Sequence, residues 1–198
     1  MGLNLDYTDG QTPLDEDEKD GLLIKTITTR SELDEFEQLN IEKAVLWTMK
    51  RKFKADDILS EAFVKELHRR MYGDVWQWAG KFRKTNKNLG VDKLQITVEL
   101  RALLDDCKFW IAKQIFNTDE ISVRFKHRIV SIHCFANGNG RHSRLIADVM
   151  VEHIYNQRVF SWGAASLYKA GEARKIYLQA IKKSDAGSYD ELLAFARS

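Results

Sequence analysis

Residues 119–132 carry Ile121, Val123, Phe125, Ile129, Val130 and Ile132 around most of a helical circumference, more apolar surface than one packed face requires. A helix of that kind is central and buried, and any fold for this chain has to be built around it. It delivers His133 at its C-terminal end, and the pattern then breaks at Asn137-Gly138-Asn139-Gly140. From about Arg141 helical spacing returns with Leu145, Ile146, Val149 and Met150. A glycine loop therefore joins two core helices.

The rest of the chain repeats the helical signal. Thr12, Pro13 and the acidic residues 15–18 read as a helix start, stopped early by Gly21. Further helices are expected over 31–50, with Leu33, Phe36, Ala44 and Trp47 among the apolar positions, and over 56–71 through Leu59, Ala62, Phe63 and Leu67. Thr97 is placed to cap a helix striped by Leu100, Leu103, Leu104, Cys107, Ile111 and Ile115. Another carries Ala173, Ile176, Tyr177, Ala180 and Ile181, and the capping box Ser188-x-x-Glu191 opens the last. Residues 74–90 read as irregular, and 91–96 is the one place for a short strand or hairpin, with Leu94 and Ile96 alternating against Lys93 and Gln95. The class is all-α, which excludes a parallel nucleotide-binding sheet.

At 198 residues the chain suits one core. Cys107 and Cys134 form neither a disulfide framework nor a metal-ligand pair, no apolar run approaches a membrane span, and residues 1–10 lack the basic and apolar regions of a signal peptide; a cytoplasmic location is expected. Residues 1–40 hold eleven Asp/Glu and three Lys/Arg, a net of −8, against +2 for the whole chain, so residues 41–198 carry +10. This acidic leader is either a solvated arm or a segment that docks over a basic phosphate pocket.

Residues 133–144 read His-Cys-Phe-Ala-Asn-Gly-Asn-Gly-Arg-His-Ser-Arg. Gly138 and Gly140 let backbone N–H groups close on an anion, and the helix that follows adds its positive end. Arg141 and Arg144, three apart, point the same way and offer planar forks of donors to phosphoryl oxygens. His133 can act as a general base near neutral pH. Neither a G-x-x-x-x-G-K-[ST] loop nor a G-x-G-x-x-G turn is present, and the spacing of His127, His133, His142 and His153 does not make a zinc site.

This segment resembles the Fic signature H-x-F-x-[D/E]-G-N-G-R-x-x-R at every specified position but one, and residues 67–83 resemble the family segment that leads into its target-binding flap. The resemblance runs from about residue 30 to 190 and is nearest to the subgroup known as mobile mystery protein B. It implies a single Fic-type helical domain over 31–198, with a short β-hairpin flap and, over 1–30, an acidic helical arm. It also implies a protein adenylyltransferase that moves AMP from ATP to a Tyr, Thr or Ser hydroxyl. His133 would take the proton from that hydroxyl, while Gly138, Asn139, Gly140, Arg141 and Arg144 hold the phosphates. Lys84, Asn88, Leu89, Gly90, Leu94 and Ile96 would belong to the flap, where an extended target segment adds.

Asn137 stands where the family has Asp or Glu to hold Mg²⁺; an amide oxygen can coordinate a hard cation but brings no charge. Two alternatives follow: a Fic-type transferase of another group, phosphate or a different nucleotide, and a catalytically weak nucleotide-binding or interaction module. Asp20-Gly21 resembles the end of the family's inhibitory helix, so the leader is expected to pair with Arg144 through Asp20 or Glu18 and to lower basal activity. The partners implied are ATP and a hydroxyl-bearing target protein, the chain itself included, with a second copy or an antitoxin as further candidates. Neither a membrane nor a nucleic acid is expected as a partner.

Overall fold

The computed structural model describes residues 12–164 and 170–198. Among these the regular structure is all helical: α1 (Glu16–Lys19), α2 (Arg30–Met49), α3 (Ala55–Ile58), α4 (Glu61–Tyr72), α5 (Ile96–Lys113), α6 (Thr118–Ile132), α7 (Asn139–Tyr155), α8 (Ala170–Asp185) and α9 (Asp190–Arg197).

The expected central helix is α6. Its Phe125, Ile129 and Ile132 belong to the main core with Val64, Leu67 and Met71 of α4, Leu100 and Leu103 of α5, and Ile146 and Met150 of α7. Its opposite side, through Val123, belongs to a second cluster with Ala147 and Val151 of α7, Phe160, Ala180 of α8, and Leu192 and Ala196 of α9. Burial on both sides explains the apolar circumference, since each large side chain removed from water contributes about 1.5–3 kcal/mol. Between the two clusters lies Lys126, fully buried, whose Nζ donates to the Tyr177 hydroxyl at 2.6 Å. Burial and the nearby Arg144 drive its pKa well below the ordinary lysine range.

Several local expectations are corrected. No strand forms among the described residues, and the hairpin expected over 91–96 is absent; a lone antiparallel bridge joins Leu22 to Trp76. In place of a ladder, side chains satisfy the backbone of this turn. Lys93 N–H donates to Asn86 Oδ1 and Leu94 N–H to Asp92 Oδ1, each at 2.8 Å, and Asn86 Nδ2 donates to Asp92 Oδ2 at 2.8 Å. The α5 helix then starts at Ile96 rather than after a Thr97 cap. On α2 the buried stripe is Leu33, Glu37, Asn40, Ala44 and Thr48, and Phe36 is exposed. The expected 56–71 helix is split by Ser60, which caps α4 by accepting from Phe63 N–H at 3.1 Å. The last helix has Tyr189 as its N-cap with no side-chain cap, and Glu191 engages Lys183.

Candidate active site

His133 is the C-cap of α6 and adopts a left-handed backbone, φ 57° and ψ 61°. A non-glycine residue there is strained by roughly 1–3 kcal/mol and needs its surroundings to hold it. Arg83 supplies that hold. Its Nε donates to the His133 carbonyl at 2.6 Å, Nη1 donates to Thr85 O at 2.8 Å and Nη2 donates to Val91 O, while Arg83 N–H donates to Cys134 O at 3.0 Å. One guanidinium thus ties both ends of the 85–91 segment to the base of the loop. Gly90 lies directly over the histidine: with φ 104°, a Cβ placed there would come 2.6 Å from His133 Cβ.

Burial, helped by the charges of Arg83 and Lys87, lowers the His133 pKa to about 4, so the ring is neutral near pH 7. The ring also bonds the Val130 backbone. Assigning its proton to Nδ1 for that bond leaves Nε2 a lone pair.

The loop that follows is fastened from within and from α4. Asn139 Oδ1 accepts from Phe135 N–H at 3.0 Å while its Nδ2 donates to Phe135 O at 2.8 Å. The Asn139 side chain therefore closes the loop, and only its N–H remains for a phosphate. His68, wholly buried, accepts from Gly80 N–H at its Nδ1 and donates from Nε2 to Asn137 O, each at 3.0 Å. Its ring stacks on Phe135 with centroids 3.7 Å apart. Tyr72 backs Gly138, where φ is 76° and a Cβ would lie 2.5 Å from the ring.

The α7 helix opens at Asn139, two residues earlier than expected, so its first N–H groups, unbonded within the helix, emerge at the loop. A Cβ at Gly140 would meet nothing within 4 Å, which marks open space above that turn. Arg141 reaches it with one edge held: its Nη2 donates to Glu37 Oε2 at 2.6 Å, and Trp76 Nε1 donates to Glu37 Oε1 at 2.7 Å. Arg144 lies 5.8 Å from the Tyr177 ring centroid. Thr12, Leu89, Gly90, His133, residues 137–141, Arg144, Trp162 and Tyr177 share a cavity of about 680 Å³. That is within the roughly 300–1,000 Å³ range of small-ligand sites.

Asn137 does not make a metal centre here. Its Oδ1 accepts from Gly138 N–H at 2.6 Å, its Nδ2 donates to Thr12 O at 3.0 Å, and no group of three His, Cys, Asp or Glu able to hold a metal occurs among the described residues. One neutral oxygen that is already hydrogen-bonded does not fit a protein-held Mg²⁺.

The acidic leader enters this site, though not as expected. Glu18 engages Lys87 at 2.5 Å, and Asp15 engages the same ammonium at 2.8 Å and Thr85 Oγ1 at 2.7 Å. The expected pairing with Arg144 is thus replaced by one with the flap, and Asp20 is exposed. The helix cap is Asp15, not Thr12, which leaves Thr12 and Pro13 outside α1. Thr12 is 6 % exposed, and its Oγ1 lies 3.1 Å from His133 Nε2.

Of the expected flap residues, Leu89 and Gly90 line the cavity, Lys84, Asn88 and Leu94 are exposed, and Ile96 is a buried core residue of α5 that cannot face a target. Sequence reasoning missed Thr12, Glu37, Arg83 and Lys87 as site residues. Glu37 left a signal, a charge one helical turn after Leu33 and two before Ala44 on the packed side of α2.

No curated protein matches the chain. Solved structures do, all at identities that establish the fold alone. BepC, a VirB-translocated effector of Bartonella tribocorum with bound AMPPNP, is 15% identical with a TM-score of 0.69, covering 92% of this chain and 97% of that one. A VirB-translocated Bep effector Fic domain of Bartonella quintana with bound ADP is 14% identical with a TM-score of 0.66, covering 86% of each chain. Fic-1 of C. elegans is 18% identical with a TM-score of 0.62, and the match spans 80% of this chain but 46% of that fragment. Residues 58–151, which include the whole of the 133–144 loop, match the Fic/DOC family. Over those residues the chain is therefore similar to the Fic/DOC family, and its fold is that of the solved Fic domains.

Proposed function

We propose that this chain is a protein adenylyltransferase. The observation that carries the reading is a hydroxyl, that of Thr12, already 3.1 Å from the lone-pair nitrogen of a neutral His133, on the wall of a cavity that also holds Arg141 and Arg144. A general base needs its hydroxyl within roughly 2.6–3.2 Å. A phosphate-rich donor suits the rest of the wall: free N–H groups at the start of α7, open space over Gly140, and two arginines. The ligands bound in the two Bartonella structures, AMPPNP and ADP, are phosphate-rich nucleotides.

In the proposed reaction an acceptor hydroxyl attacks the α-phosphorus and gives its proton to His133 Nε2. The α7 N-terminus holds the phosphate oxygens, and Arg141 and Arg144 neutralise charge that grows on the departing pyrophosphate. The side chains of His68, Asn139 and Tyr72 keep the loop in shape and touch no substrate. Asp15, Glu18 and Lys87 seat the described part of the leader, from Thr12 onward, on the domain, where it excludes external acceptors and lowers basal transfer. Residues 84–94 form the rim that an external target segment would meet, and the cytoplasm is the proposed site of action. The likeness to the mobile mystery protein B subgroup adds no chemistry to this reading.

One observation favours a second reading, a nucleotide-binding module of weak activity: Asn137 offers no charge for a metal and is hydrogen-bonded on both sides. Incubation with ATP labelled on the α-phosphate, and separately on the γ-phosphate, decides between them. Label from the α position that is lost in His133→Ala, with ATP binding retained within a few fold, supports adenylyl transfer. Label from the γ position selects phosphate transfer. Absence of both, with nucleotide bound, selects the module, and activity gained by Asn137→Asp places the deficit at that residue.

A further inference from the structure

Thr12 and Pro13 form an extended approach to the site. The proline disfavours a helical conformation for Thr12, and the capping box at Asp15 starts α1 only beyond it. From there the segment is fastened downstream: Lys87 Nζ, with a side chain 3% exposed, holds Asp15 and Glu18, and Trp78 Nε1 donates to Glu18 O at 3.0 Å. At Thr12 itself, Asn137 Nδ2 grips the carbonyl at 3.0 Å. These anchors, at Thr12 and just after it, hold the segment where its hydroxyl meets His133 Nε2.

A segment so placed can act as a plug or as an acceptor. A plug that denies the nucleotide would fill the phosphate cradle or pair with Arg144. This one does neither: its carboxylates bind Lys87, Gly140 faces open space, and the cavity remains. The leader fills the acceptor side and leaves the donor side free. From this geometry we infer that Thr12 is a substrate of its own chain, adenylylated in cis. The inference rests on the adenylyl-transfer reading above.

In this step the Thr12 Oγ–Pα bond forms as the bond from Pα to the bridging oxygen of the β-phosphate breaks. The hydroxyl proton passes to His133 Nε2, the electron pair of the broken bond leaves with pyrophosphate, and the imidazolium returns its proton to solvent. The product has a phosphodiester at Thr12, which has no hydroxyl proton left to donate to His133 and is too large for a seat where the threonine is 6 % exposed. Modification therefore dislodges the leader and opens the base to other hydroxyls.

The test incubates the full-length chain with α-labelled ATP and Mg²⁺, follows intact mass, and maps the adduct by fragmentation. Expected are one AMP per chain, located on Thr12, at a rate constant that does not change when the protein is diluted. Thr12→Ser keeps the label and the isosteric Thr12→Val loses it, with thermal melting showing that both variants fold. A label on another residue, a label at Thr12 whose rate constant rises with protein concentration, or equal labelling of Thr12→Val overturns the inference. Pyrophosphate release measured alongside separates the two failures. If it persists, depends on His133 and leaves Thr12 unmodified, adenylyl transfer stands and the inference falls; absence of release and of label removes both.

Discussion

The pair between Glu37 and Arg141 should show an asymmetry set by burial. Glu37 is 4% exposed, whereas the Arg141 side chain is 33% exposed, so the two partners differ in their access to water once separated. Arg141→Ala leaves a carboxylate in the core with the Trp76 N–H as its remaining donor, a cost of about 3 kcal/mol for an uncompensated buried charge. Loss of the guanidinium 5.2 Å from the Tyr72 ring centroid adds about 0.5 kcal/mol. Glu37→Gln retains an acceptor for Trp76 and frees a guanidinium that can rehydrate, so its cost should be about 1 kcal/mol. The double variant should cost about 2 kcal/mol, well short of the sum, because neither charge is then stranded. Urea denaturation at pH 7 with unchanged m-values measures all three. Equal penalties for the two single variants, or additivity in the double, would refute burial as the origin of the effect.

Gly90→Ala should destabilise the fold by about 2 kcal/mol or more, because φ 104° is a glycine conformation and the new methyl meets His133 Cβ and Arg83; thermal melting reads the loss, and an unchanged Tm would remove Gly90 from its place over His133. Asn139→Ala strands the Phe135 N–H and C=O and should cost about 2–4 kcal/mol, with faster hydrogen exchange at the Phe135 amide; protection as in the parent would show that the loop holds without its staple. Burial raises the Asp148 pKa to about 7 against Trp162 and Phe160 donors, so the native state keeps a proton that the unfolded chain releases from about pH 4 upward. The parent therefore loses stability as pH rises toward and through 7, and Asp148→Asn should gain on it by about 2–3 kcal/mol between pH 5 and pH 8 in urea melts; a gain independent of pH would exclude that titration.

The central helix was legible because its apolar residues cover most of a turn, and only burial on several sides accounts for that. The same periodicity placed the 133–144 loop between two core helices, and the spacing of Arg141 and Arg144 placed both at the start of α7. The flap was misread as a strand because Leu94 and Ile96 alternate with polar neighbours. Alternation over so few residues also describes a turn followed by the first core position of a helix. Thr12 looked like a helix cap for a similar reason, since Thr-Pro and Asp-x-x-Glu both make local caps and the competition between them is settled by where the chain must go.

The amino-acid sequence by itself determined the all-α core, the loop with its histidine and two arginines, and an acidic leader ahead of a basic body. These follow from periodicity, residue chemistry and net charge, which are local or additive. The tertiary structure alone decided the pairings: Glu37 with Arg141, Lys87 with Asp15 and Glu18, Arg83 with His133, and Thr12 with the base. Each brings together residues that are between 50 and 121 positions apart. Contacts at such separation depend on how the helices pack, and no sequence spacing encodes that.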